Sequence, residues 1–210
     1  VRFLRGLAAR QFEISAYSPE DGRVACIVKD VTELRRIEQE TRLNEARLAA
    51  LHSLSHMDDA SEEKVARFSL EQAVKLTGSE IGYLYVGGNY DGKGSRLYWS
   101  NELLARLKSE PAPPAVCELP WSRSAECVNP RMTEVVNTVE NSFNKAFGNE
   151  IPVTRYMLTP VLEEGRIVCI AGVANKNGDY EAADLRQLEL FISGMWFHLR
   201  RRWSVKALQR

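Results

Sequence analysis

The chain has 210 residues, 44% of them apolar, enough for one full domain and a smaller piece. Twenty-eight Lys and Arg balance twenty-eight Asp and Glu, so the sequence lacks the basic excess that attracts nucleic acid or an acidic membrane surface. Its four cysteines (Cys26, Cys117, Cys127 and Cys169) are scattered without a CxxC pair, which argues against a disulfide framework or a zinc site.

No apolar run approaches the roughly 20 residues of a membrane span and no signal-peptide pattern is seen, so a cytoplasmic location is expected. The sequence opens inside a strand-like pattern, as expected of a piece cut from something longer. Phe12, Ile14 and Ala16 alternate with Gln11, Glu13 and Ser15. The turn residues Ser18-Pro19-Glu20-Asp21-Gly22 lead into a second strand over 23–29, and the pair reads as a hairpin. Two strands cannot bury both faces, so the piece is expected to be poorly ordered or covered by a second copy.

Asp30-Val31-Thr32-Glu33 starts a helix, with Asp30 or Thr32 as its cap. Leu34, Ile37, Thr41, Asn44, Leu48, Leu51 and Ser55 then follow a 3-4 spacing, a heptad seam with polar residues at its centre. Such a seam predicts a parallel homodimer through this helix; packing on its own domain is the alternative. A helix opens at Ser61 and ends at Thr77-Gly78, and strands follow over 80–86 and 96–99. Beyond a Pro-rich stretch come a short helix near 121–127, a strand near 132–136 and a small helix over 142–147. A hairpin over 156–162 and 166–174 precedes a last helix from about Tyr180, which keeps helical spacing as far as Trp203. The pattern predicts an α+β domain with a central antiparallel sheet flanked by helices.

The run FEISAYSPEDGRVACIVKDVTELRRIEQE resembles the C-terminal strands of PAS domains and the tetrapeptide that ends them, here Asp30-Val31-Thr32-Glu33. Residues 45–203 resemble a GAF domain of bacterial sensor proteins, of the histidine kinase or diguanylate cyclase type. The segments SLEQAVKLTGSEIGYLYV, RLYWS, IPVTRYMLTPVLEEGRIVCIAGVANK and YEAADLRQLELFISGMW carry that likeness. Asn175-Lys176 followed by Tyr180 and Asp184 resembles the Asn-Lys…Phe-x-x-x-Asp pattern of cyclic-nucleotide GAF domains, with Tyr for Phe and Leu185 in place of the final Glu. Lys176 and Asp184 are read as a structural clasp. The implied organisation is a PAS tail over 1–31, a linker helix over 32–57, a GAF domain over 58–203 and an output linker from 204.

The resemblance implies a sensory module without catalysis of its own. It would bind an unidentified small molecule or respond to redox state, and relay the change to an output domain. The expected ligand residues are Trp99, Trp121, Cys127, Asn137, Arg155 and Met157, because small-molecule pockets are apolar and aromatic with a few converging polar groups. Both tryptophans would serve equally as plain core, and Arg155 could clamp an anion or lie solvated at a strand edge. Cys127 is read as a core thiol by the pocket wall, with haem attachment or thiol chemistry as lesser alternatives. Leu54-Ser55-His56-Met57-Asp58 faintly resembles a histidine-kinase phospho-acceptor box. Met57 stands where the acid belongs and no glycine-rich phosphate loop is present. The basic tail Arg200-Arg201-Arg202 reads as a complement to a helix C-terminus rather than a nucleic-acid or membrane contact. A ligand-free dimerisation scaffold is the alternative from another class.

Overall fold

The computed structural model describes residues 10–20, 22–87, 96–106, 133–139 and 152–208. The chain divides into two compact units, Val1–Glu45 and Ala46–Arg210.

In the first unit, strands β1 (Phe12–Glu20) and β2 (Arg23–Asp30) form an antiparallel hairpin whose turn contains Gly22 at φ 82°. Ile14 pairs with Val28 and Ala16 with Cys26, so the middle of one face of the ribbon is apolar, with Phe12 opposite Asp30 at its end. Phe12, Ile14, Val24 and Val28 on that face are all more than half exposed. The strand end and the start of helix α1 (Thr32–Ser55) are tied by one knot of polar groups. The Asp30 carboxylate accepts from the Thr32 N–H at 3.0 Å and the Thr32 hydroxyl at 2.6 Å. Gln11 closes the knot: its N–H donates to Thr32 Oγ1 at 2.8 Å and its carbonyl accepts from the Val31 N–H at 2.9 Å. The two bonds from Thr32 hold the Asp30 carboxyl below the usual carboxylate range.

The second unit holds a five-stranded sheet in the order β4-β3-β7-β6-β5, antiparallel at every pairing. Its strands are β3 (Ile81–Val86), β4 (Arg96–Trp99), β5 (Glu134–Val136), β6 (Tyr156–Glu163) and β7 (Arg166–Ala174). Helices α2 (Glu62–Leu76) and α4 (Ala182–Leu208) pack on one face, and the short α3 (Asn101–Arg106) follows β4. Ser61 caps α2 by accepting from the Lys64 N–H at 3.1 Å, with Glu62 and Glu63 against the positive end of the helix. Gly78, at φ 62°, ends the same helix in the left-handed region that a side chain would strain.

Alternation along the strands gives the sheet two apolar layers. Leu84, Val86, Tyr98, Met157, Ala171 and Val173 face the helices and join Val65, Leu70, Leu188, Phe191 and Met195. Ile81, Tyr83, Trp99, Tyr156, Leu158 and Ile170 form the layer on the other face, with Leu103 of α3 and Val153.

The end of α1 belongs to this core. Ala50 and Leu54 are buried in the helix-side layer and Leu51 packs against it. The compact unit begins at Ala46 and so takes in these last turns of the helix. Two elements differ from sequence expectation: α4 starts at Ala182 rather than Tyr180, and α3 was not anticipated. The short helices expected near 121–127 and over 142–147 lie outside the described residues.

Leu54→Ala should therefore cost about 2–5 kcal/mol of stability in urea unfolding, the cost of a cavity in a packed core. A loss below about 0.5 kcal/mol, the surface level, would detach α1 from the domain. The Asp30 titration, followed by carboxyl NMR, should show a midpoint below the ordinary range, returning toward it in Thr32→Val. Because the folded-state pKa is depressed, whatever Asp30 contributes is present above the unfolded pKa and lost as pH falls through the folded one.

Candidate functional site

Two regions of the second unit carry the residues singled out by sequence, and they lie apart. Trp99 is 3% exposed in the layer facing away from α2 and α4, with its ring 6.4 Å from that of Tyr83 at an interplanar angle of 56°. Tyr156, on the same face, is fully buried. Tyr83, Trp99 and Tyr156 make this layer an aromatic one. Burial raises the Tyr83 hydroxyl pKa far above its usual value, with the nearby Tyr156 and Glu134 adding to the shift, so Tyr83 stays a neutral phenol.

Met157, named with Trp99 among the expected ligand residues, lies on the opposite face, fully buried in the layer against the helices. The reason is strand parity: Tyr156 points to one face and its neighbour Met157 to the other. The sequence reading missed Tyr83 and Tyr156 on the aromatic face, although the alternation Ile81-Gly82-Tyr83 carried that signal.

The second region is polar and sits where β7 turns into α4. Lys176 Nζ donates to Asp184 Oδ2 at 2.5 Å, and the same oxygen accepts from the Glu181 N–H at 2.8 Å at the start of α4. The Asp184 side chain is 8% exposed, so it is a carboxylate fixed by an ammonium and a backbone amide together. Asn137, at the end of β5, uses both ends of its amide on one residue. Its Oδ1 accepts from the Tyr180 N–H at 2.7 Å and its Nδ2 donates to the Tyr180 carbonyl at 3.1 Å. The Tyr180 hydroxyl bonds Ser79 Oγ at 2.7 Å, linking α4's entry to the exit from α2, and burial pushes its pKa to about 12. Arg155 donates through Nη1 to the Lys176 carbonyl at 2.8 Å, while its Nε lies 3.9 Å from Asp179 Oδ1. Asn175, at φ 61°, accepts from the Thr154 N–H at 2.9 Å and donates to the Pro152 carbonyl at 2.8 Å.

Asn137 and Arg155 thus take part in the polar clasp, and neither joins Trp99 on the aromatic face. Trp121 and Cys127 lie outside the described residues, as does Cys117. Of the described thiols, Cys169 is buried with its pKa pushed up by burial, which makes it a core group rather than a nucleophile. Of the seam residues, Leu34, Ile37 and Leu48 are about half exposed, whereas Leu51 turns onto α4. Among the described residues no cluster of His, Cys, Asp and Glu is arranged to hold a metal ion, and no helix is long and apolar enough to cross a membrane.

A five-stranded antiparallel sheet with helices against one face and an aromatic layer on the other is the α+β architecture of a GAF domain. A GAF domain family model matches residues 59–200, and the chain belongs to that family. It is 32% identical over 186 residues to the methyl sulfide methyltransferase-associated sensor of Methanosarcina acetivorans. That match covers 87% of this chain and 19% of the relative, so the chain spans about a fifth of the relative's length. Among solved structures, it is similar to a GAF domain attributed to a sensor histidine kinase of Pseudomonas syringae pv. tomato, at 16% identity and a TM-score of 0.49. That similarity covers 82% of this chain and 97% of that one. The third GAF domain of a Synechocystis protein, in its photoproduct state, gives 11% identity and a TM-score of 0.48 over 71% of this chain and all of that one.

Asn137→Ala should lower stability by about 1–3 kcal/mol, because it leaves the Tyr180 backbone groups without partners at a partly buried site. Chemical unfolding of the purified chain checks this. A neutral result would mean that water replaces the amide without loss.

Proposed function

We propose that this chain is a sensory module of a signal-transduction protein. Its GAF domain receives a small molecule or a redox change and relays it through dimeric helices to an output domain. The 32% identity over 87% of the chain to a protein named as a sensor carries this reading. The hairpin Phe12–Asp30 is read as the C-terminal end of a PAS domain, supported by the Gln11–Asp30–Thr32 knot and by an apolar ribbon face that calls for a cover. The output type is read as a histidine kinase or cyclase, any catalysis lying there rather than in the GAF domain. The module works in the cytoplasm.

The relay reading rests on α1 and α4, helices of 24 and 27 residues. A ligand shifts such a relay only by binding two of its arrangements with different affinity. A second reading, a ligand-free dimerisation scaffold, is favoured by one observation: Tyr83, Trp99 and Tyr156 are already packed to 3% exposure or less.

Native mass spectrometry and absorption spectra of the gently purified chain separate the two. A bound mass beyond the 23.8 kDa polypeptide supports the sensor, and a Soret band lost in Cys127→Ser would identify haem as the input. A bare chain whose helices and unfolding midpoint ignore oxidants and reductants would leave the scaffold.

A further inference from the structure

The connection from β7 to α4 carries the polar clasp, yet two consecutive residues in it take no part. Asn177 and Gly178 are the only Asn-Gly pair in the chain. Both are exposed, and neither makes a hydrogen bond to another described residue. Their surroundings are held firmly. Two positions earlier, Asn175 is fixed through both ends of its amide, by the Thr154 N–H and the Pro152 carbonyl. Asn137 is fixed in the same manner by the backbone of Tyr180. Lys176, just before the pair, is bound through its ammonium to Asp184 and through its carbonyl to Arg155. A free asparagine thus sits in a short span between anchored residues.

Gly178 has φ 111°, in the left-handed region, and a Cβ placed on it would meet no atom within 4 Å. The space beside its backbone is open, and glycine brings no side chain of its own to shield its amide nitrogen. An asparagine carries an electrophile, the side-chain Cγ, within reach of the next residue's nitrogen. Joining the two closes a five-membered ring, provided the atoms approach to about 3–3.5 Å. That approach needs rotation of the Asn177 side chain and of the backbone beside it. An amide pinned like that of Asn137 or Asn175 makes such a rotation only after its bonds open, whereas Asn177 has no such bonds to break.

We propose that Asn177 is a site of spontaneous covalent modification, a deamidation through Gly178 that loosens the clasp at the start of α4. Hydroxide takes the Gly178 amide proton, the nitrogen bonds to Asn177 Cγ, and the Cγ–Nδ2 bond breaks. Nδ2 leaves as ammonia with a proton from water, and a cyclic imide remains. Water then opens the ring. Cleavage between the nitrogen and Cγ gives aspartate at position 177. Cleavage between the nitrogen and the backbone carbonyl carbon gives isoaspartate, in which the chain runs through the side chain and is longer by one methylene. Either product adds a negative charge to a chain of zero net charge, one residue from the lysine that holds Asp184. Isoaspartate also lengthens a span whose ends, Asn175 and Tyr180, are both fixed. The extra length is taken up at the clasp, whose directional hydrogen bonds weaken steeply when misaligned.

Peptide mapping by mass spectrometry tests this on the full 210-residue chain, held in mildly alkaline buffer either folded or in guanidinium. A freely moving loop opens at almost no cost, and each 1.4 kcal/mol of opening slows the reaction about tenfold. Asn177 is therefore expected to react in the folded chain within about 10-fold of its rate in the denatured one. Asn137 and Asn175 are expected to stay intact over the same time, and Asn177→Gln, whose ring closes less readily, to form no early acidic species. An Asn177 that survives in the folded chain after the denatured chain has reacted overturns the proposal. The isoaspartate form, separated by chromatography, is expected to unfold at lower urea concentration than the parent and than Asn177→Asp. An unchanged midpoint would overturn the effect on the clasp.

Discussion

The contact between Leu51 and Gly194 is the constraint on which the arrangement of the second unit depends. At that point α1 approaches α4 so closely that a side chain on α4 would meet the end of Leu51, which would have to shift. A methyl group at Gly194 would overlap the end of Leu51, whose helix is anchored by Ala50 and Leu54 in the core, so the leucine side chain would have to turn away. The close approach lets two small or flexible residues in α1, Ala50 and Leu51, reach the helix-side layer. It also leaves the opposite side of both helices free of intradomain duty. The last turns of α1 are therefore a working part of the domain.

At its other end, α4 is fixed by chemistry of a different kind. Asn137, Lys176, Asp184, Tyr180 and Ser79 join the ends of β5, β7 and α2 to the first turn of α4. Hydrogen bonds are directional where apolar packing is not, so the clasp sets where α4 begins and which way it points, while packing holds the length beyond it. A partly buried Asp184 with an ammonium and an amide on one oxygen is stable only while all three groups keep their places. This explains why residues of ligand-binding type can be consumed by architecture: Asn137 and Arg155 are polar, convergent and near a strand end, yet their donors and acceptors serve the backbone.

Much of this fold is legible in sequence because it is periodic or punctuated. The β6–β7 hairpin shows as two apolar runs about Glu163-Glu164-Gly165. Helix α2 shows through its Ser61 cap and its Gly78 stop, and α1 through the Asp30–Thr32 pair. Less legible is which of two faces a residue serves. A 3-4 repeat places Leu48 and Leu51 in one seam, but only the proximity of Gly194, 143 positions later, separates the outward from the inward leucine. The same limit applies to Met157 and Trp99, which share a list of ligand-type residues although strand parity sends them to opposite layers. Long-range contacts decide such matters, and a local pattern does not contain them.

Parity also fixes how any event on the aromatic face must reach the helices. Trp99 and Tyr98 are consecutive on β4 yet face opposite layers, as do Tyr156 and Met157 on β6. In the proposed relay, a displacement of Tyr156 would be handed across one peptide unit to a methionine packed in the core of α2 and α4. Interiors packed at crystal density transmit such a shift rather than absorb it. The coupling energy needed to bias two helical arrangements is about 1–3 kcal/mol, comparable with burying or exposing a single apolar side chain. Because the clasp fixes the start of α4 and the Leu51–Gly194 contact joins its middle to the end of α1, a relay of the kind proposed would act on both helices at once.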